Sequence, residues 1–207
     1  MLQDYILLVT QFTTLWAVMD PIGHVPLFLG ATAGLNARER RRTALFGVGI
    51  AYGLLAVFGM LGQLILHAMG ISLLSFQIAG GLILFVFAIS MVLGDHSAGP
   101  IQSDGDLSVA IYPVATPIIA GPGSLLTIVL LMDNQRGHLP GQLVTLLALA
   151  VICVLLLCAL LASGAIQRVI GTGGANVLRR IMGLILAALA VNMVLSAIAI
   201  WLRLPEI

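Results

Sequence analysis

The sequence predicts an all-α membrane protein: six transmembrane helices set as two inverted three-helix repeats, with helices 1 and 4 discontinuous. Three observations carry this prediction. The 207 residues are 60% hydrophobic and only 8% charged, whereas a soluble domain carries about 25% charged residues. Two stretches of the chain recur in the same order. Proline and glycine interrupt two of the apolar runs at matching places.

A spanning helix needs roughly 20 apolar residues. Apolar runs occur at about 5–34, 43–70, 72–94, 107–132, 141–163 and 177–202. Six spans with short loops fill the chain, so 1–207 reads as a single transmembrane domain with no room for a soluble one. The start, Met1-Leu2-Gln3-Asp4, lacks the basic stretch of a signal peptide, so the first run is expected to remain as a span. After it come Arg38, Arg40, Arg41 and Arg42, four of the nine basic residues. Such a tract can bind nucleic acid, but no aromatic residues interleave with it for base stacking. Beside a span it reads as a topology signal, and no nucleic-acid partner is expected. The loop joining runs 2 and 3 holds no Arg. Residues 95–106, with Gly99-Pro100, Gly105 and three Asp, form a polar hinge between halves. Between runs 5 and 6 a loop is expected, holding Arg168 with Arg179 and Arg180 after it. Arg-rich loops stay cytoplasmic, which puts both termini outside a multi-pass chain of the cytoplasmic membrane. Cys153 and Cys158 are five apart, so on a helix they diverge by about 140° and remain free thiols.

The repeat rests on two matches. Gly81–Gly94 lies over Gly183–Ser196, with eight of 14 positions identical; Pro21 and Pro26 lie over Pro117 and Pro122. The offsets are 102 and 96 residues, and together they define repeat 1 at about 5–94 and repeat 2 at about 107–202. Each repeat has an odd number of spans, so the second enters the membrane from the opposite side. That is an inverted repeat, a common carrier architecture.

The first interruption reads Met19-Asp20-Pro21-Ile22-Gly23-His24-Val25-Pro26 and the second Thr116-Pro117-Ile118-Ile119-Ala120-Gly121-Pro122-Gly123-Ser124. Proline removes a backbone donor and clashes with the preceding turn. Freed backbone at membrane depth is tolerated only inside protein or beside a water-filled cavity. Paired breaks in two repeats are the sequence pointer to a transporter's binding site. A half-helix starting after a break offers free N–H groups and a partial positive charge. Gly121, Gly123 and Ser124 are expected to offer N–H groups to a carboxylate, with hydroxyls from Ser124 and Thr127. Asp20 and freed carbonyls are expected to receive an ammonium group. The implied ligand is a small zwitterion. Asp20 lies about 15 residues into its span, roughly 22 Å deep, where an ionisable group is a functional candidate. Asp before Pro is also a helix-start signal, and the two roles are compatible. His24 shuttles a proton or donates to a freed carbonyl. Asn192, matched by Ser90 in the repeat, is a lone polar group expected to bond between helices. Trp16 is expected to be packed, and the Gly80-Gly81 and Gly183 sites to bring helices close.

The Asp20–Phe28 motif, the Arg-rich loop after it and Ala120-Gly121-Pro122-Gly123 resemble the MarC family of bacterial inner-membrane proteins across nearly the whole chain. The family pattern usually has Asn where His24 stands. The resemblance implies a multi-span protein of the cytoplasmic membrane, related to carriers of small neutral amino acids such as glycine and alanine coupled to protons. The expected partners are therefore a small-molecule substrate, the lipid bilayer and a proton; a homo-oligomer is left open, and no cofactor or metal is expected. A passive channel would need a polar lining that the spans lack. An enzyme would need a catalytic motif such as HExxH or GxSxG, which is absent. A non-transporting partner or regulator of another complex is the remaining alternative.

Overall fold

The computed structural model describes residues 2–32, 34–93, 106–135 and 137–203. Helices make up the fold: α1 (Leu2–Met19), α2 (His24–Ala31), α3 (Ala37–Ala68), α4 (Leu73–Leu93), α5 (Asp106–Val109), a π-helical segment (Ala110–Ile119), α6 (Pro122–Asp133) and α7 (Leu139–Leu202). The polar hinge falls mostly outside the described residues; helix begins again at Asp106.

Four stretches are long and apolar enough to cross a membrane, and six if each bent pair is one span. They are α3, α4, Leu139–Ala165 and Gly183–Leu202, with α1–α2 and the π-helical segment–α6 as the bent pairs. Only 28–39% of the four unbroken spans is buried. Leu82, Ile83, Val86, Val154, Leu184 and Ile200 all face outward. Apolar side chains on that scale belong in hydrocarbon, because water would drive them inward.

Asn36 starts α3 with a reciprocal cap. Its Oδ1 accepts from the Arg38 and Glu39 N–H groups, and the Glu39 carboxylate accepts from the Asn36 N–H. That arrangement satisfies orphan donors at a helix start. α3 is then continuous for 32 residues, about 48 Å. It packs through glycines: a Cβ added at Gly47 would press on Val114, one at Gly59 on Ile128. The second interruption lies between those two residues. It therefore sits opposite the middle of α3.

α4 and the Gly183–Leu202 part of α7 run antiparallel and make a reciprocal contact. A Cβ at Gly81 would meet Val194 Cγ2 at 2.7 Å and Ala190 O at 3.0 Å; one at Gly183 would meet Val92 Cγ2 at 2.8 Å and Ala88 O at 3.1 Å. The four partners are related by the same 102-residue offset. The expected close helix packing at these glycines is present.

Three expectations change. The loop expected between runs 5 and 6 is helical, since α7 continues from Leu139 to Leu202. Nothing in 166–182 forbids this: the stretch has no proline, and each glycine costs only about 1 kcal/mol in a helix. Trp16 is 37% exposed, not packed inside, and stacks on Phe12 at 6.0 Å. The fourth span is irregular before Thr116: Tyr112 and Thr116 both have extended backbone, and Tyr112–Pro113 and Thr116–Pro117 are cis. Cys153 and Cys158 are free, one buried and one exposed.

Candidate functional site

α1 ends at Met19, which is fully buried. Asp20 then turns into the left-handed region with φ 32°, a conformation that Asp tolerates better than most residues. Its N–H still donates to Trp16 O, so the turn closes α1. Its Oδ1 accepts from the Gly23 N–H at 3.1 Å. Asp20 thus caps the turn Pro21–Gly23 that launches α2, as Asp before Pro leads one to expect. The Asp20 side chain is exposed, while Pro21 beneath it is buried. α2 is buried from His24 through Leu29, Pro26 included. The chain bends by 44° across this break.

The second break bends by 61°. The π-helical segment ends at Ile119, and α6 starts with Pro122 at its first position. Gly121 is its N-cap, extended at φ −77°, ψ 170°, with no side-chain cap. A Cβ there would meet Pro117 O at 2.7 Å, so only glycine fits. Gly121, Pro122 and Ser124 are buried; Gly123 and Thr127 are half-buried. Gly121 thus gives the first turn of α6 no side-chain cap, and Pro122 brings no N–H to it.

The two breaks touch. His24, 9% exposed, sets Nε2 2.7 Å from Ile118 O and Nδ1 2.9 Å from Asp20 O. Ile118 and Asp20 lie on opposite breaks, so the imidazole joins them. Close by, a Cβ at Gly123 would lie 3.7 Å from Val18 of α1 and 3.8 Å from the Met193 sulfur of α7. Gly80 of α4 backs onto Pro122. On α4, Gln77 donates from Nε2 to Met193 O at 2.9 Å. The start of α6 is thus ringed by α1, α4 and α7.

Of the residues expected at the site, Asp20, Gly23 and His24 share one hydrogen-bonded turn, with Pro21 inside it, that reaches Ile118 of the second break; there Gly121 packs on Pro117, and Pro122, Gly123 and Ser124 open α6. Pro26 lies inside α2 and Thr127 one turn along α6. Thr116 points elsewhere: its Oγ1 donates to Ile111 O at 3.3 Å, and it lines an apolar side groove of about 670 Å³ with Pro117, Ser90 and Tyr112. Asn192 is exposed. The expected interhelical bond falls instead to the neighbouring Met193 carbonyl, which accepts from Gln77, because Met193 and not Asn192 faces inward.

Two residues escaped the sequence reading. Gln77 is one. Gln11 is the other: it is 2% exposed in α1, and its Oε1 has no partner. Each is an amide side chain inside an apolar run, the signal that singled out Asn192, but Gln11 is obscured among Thr10, Thr13 and Thr14 and Gln77 follows Ser75.

The MarC model, described as a family of integral membrane proteins, matches residues 5–202. The chain is similar to the UPF0056 membrane protein of Methanocaldococcus jannaschii, 34% identical over 202 residues, covering 95% of this chain and 97% of that one. It is similar to the UPF0056 inner membrane protein YhgN of Escherichia coli K12, 34% identical over 189 residues, covering 90% and 93%. It is similar also to the UPF0056 membrane protein YvbG of Bacillus subtilis, 31% identical over 194 residues, covering 90% and 92%. No solved structure matches the chain.

Proposed function

This chain belongs to the MarC family of integral membrane proteins, and from that premise we propose that it carries a small neutral amino acid, such as glycine or alanine, across the cytoplasmic membrane by alternating access at its two broken helices. The observation that supports this most is the contact of the two breaks through His24 and Ile118. A zwitterion needs one end rich in donors and one rich in acceptors. The uncapped start of α6 supplies donors. Asp20 and the carbonyls that close the two breaks supply acceptors. At Gly121 and Gly123 no side chain covers the start of α6, so a small ligand would meet its backbone directly.

His24, Ile118, Gly121, Pro122 and Ser124 are buried, which supports reading the arrangement as one closed to bulk solvent. Solute reaches it when the helices around the breaks part. The reciprocal Gly81 and Gly183 contact is a seam about which two halves can rock. An inverted repeat gives that rocking its two equivalent end states. The inner-membrane setting is supported by the printed name of the Escherichia coli relative. Arg38, Arg40, Arg41 and Arg42 then lie on the cytoplasmic side and both termini on the outer side.

The test is uptake by purified protein in liposomes. Glycine or alanine should enter with saturation, and Asp20→Asn should abolish the uptake. Unchanged uptake by Asp20→Asn would take Asp20 out of the mechanism. Uptake without saturation would favour a pore.

A further inference from the structure

We infer that His24 is the proton-carrying group of this protein, and that its proton and a solute's ammonium group compete for the same backbone carbonyls at the meeting of the two breaks. The inference deepens the transport reading and rests on it for the identity of the competing ligand. Its basis is geometric. Both ring nitrogens of His24 sit at hydrogen-bond distance from carbonyl oxygens, 2.9 Å to Asp20 and 2.7 Å to Ile118. A carbonyl oxygen only accepts. A neutral imidazole has one N–H, whereas the imidazolium has two. The bridge is therefore complete only with the second proton. Without it, one nitrogen lone pair faces an oxygen lone pair in a buried site, and that contact opens.

The surroundings leave His24 in control of this switch. α2 packs on the π-helical segment and on α7. The π-helical segment contributes one titratable group, Tyr112, which is 59% exposed, and no charged residue. α7 contributes Cys153 and Cys158 within Leu139–Ala165 and, further along its length, Arg168, Arg179 and Arg180. On its own side of the break, His24 has Asp20, whose Oδ1 is engaged by the Gly23 N–H. Opening the Ile118 contact exposes a carbonyl at the end of a half-helix, where partial negative charge gathers. An ammonium group presents the same donors as the imidazolium it replaces. Proton release thus accompanies solute binding, and the pair is exchanged.

The sign follows from linkage. The joined state holds one more proton than the solute-bound state, so glycine affinity rises with pH through the titration, by up to about tenfold per pH unit. The experiment has two arms. In the first, glycine binding to purified protein is measured from about pH 5 to 9, for the native chain and for His24→Asn, whose amide does not titrate. The native affinity should rise with pH and that of His24→Asn should stay flat. An affinity that falls with pH, or a slope retained in His24→Asn, overturns the inference. In the second arm, ¹⁵N spectra of His24 are recorded without solute in a His67→Gln, His96→Gln, His138→Asn background. A ring protonated on both nitrogens at low pH, losing one proton as pH rises, is expected. A ring neutral throughout overturns the inference. Should glycine fail to bind at any pH, the transport reading falls, and the second arm still decides whether His24 carries the bridging proton.

Discussion

At the residue scale, Asp20 carries two duties that substitution can separate. Its side chain caps the Pro21–Gly23 turn, and its backbone occupies a left-handed conformation. Asp20→Ala removes the cap and should cost about 1 kcal/mol of stability, measurable as a lowered Tm in detergent. Asp20→Asn keeps an oxygen acceptor and tolerates the same φ, so its Tm should stay near that of the native chain while uptake is lost. Equal loss of Tm in both variants would show that the charge, and not the cap, holds the turn. Gln11 makes the opposite case. Its buried Oε1 has no partner, and an unmet buried acceptor costs about 1–3 kcal/mol. Gln11→Leu should therefore raise Tm. A fall in Tm would mean that Gln11 has an essential partner in the folded protein.

At the scale of elements, the α4–α7 seam is the clearest case of structure written in the sequence. Gly81 and Gly183 were paired by the repeat before any coordinates, and each turns out to receive the backbone of the other's helix. Overpacking a tight contact costs about 1–3 kcal/mol, so Gly81→Val and Gly183→Val should lower Tm by similar amounts. Because the two glycines share one interface, the double variant should lose less than the sum; full additivity would contradict a shared seam. The breaks were legible for the same reason as the seam: proline and glycine act on the backbone locally, and their effect needs no knowledge of neighbours. The extent of the second break was less legible. Pro117 and Pro122 mark it, but Pro113 extends the irregular backbone to Tyr112, and its weight depends on how the π-helical segment packs. The helical course of 166–182 was missed because glycine and arginine read as a loop by composition, although neither forbids a helix. Side-chain direction was the least legible quantity. Asn192 and Met193 are adjacent, and only the packing against α4 decides which one faces inward.

At the scale of the whole molecule, the proposed six-span, two-repeat plan predicts which surfaces meet which side of the membrane. In intact cells, a membrane-impermeant thiol reagent should miss Arg41→Cys, at the start of α3, and label Met69→Cys, at its end, in a background lacking Cys153 and Cys158. Both native side chains are exposed, so access is decided by sidedness alone, and the reverse pattern would invert the orientation. The two breaks meet through His24 and Ile118, and the start of α6 meets α1, α4 and α7. The proposed function puts one small zwitterion at that convergence, and the most direct measurement of it is ligand-induced thermal stabilisation. A ligand at about 100 times its Kd adds about 2.7 kcal/mol to stability. Glycine and alanine should raise the Tm of the purified protein, leucine and glutamate should not, and Gly123→Leu, which sets a side chain beside Val18 and Met193 at the start of α6, should abolish the shift. A panel of amino acids that leaves Tm unmoved, or a Gly123→Leu variant stabilised as well as the native chain, would contradict a solute site at the meeting of the two breaks.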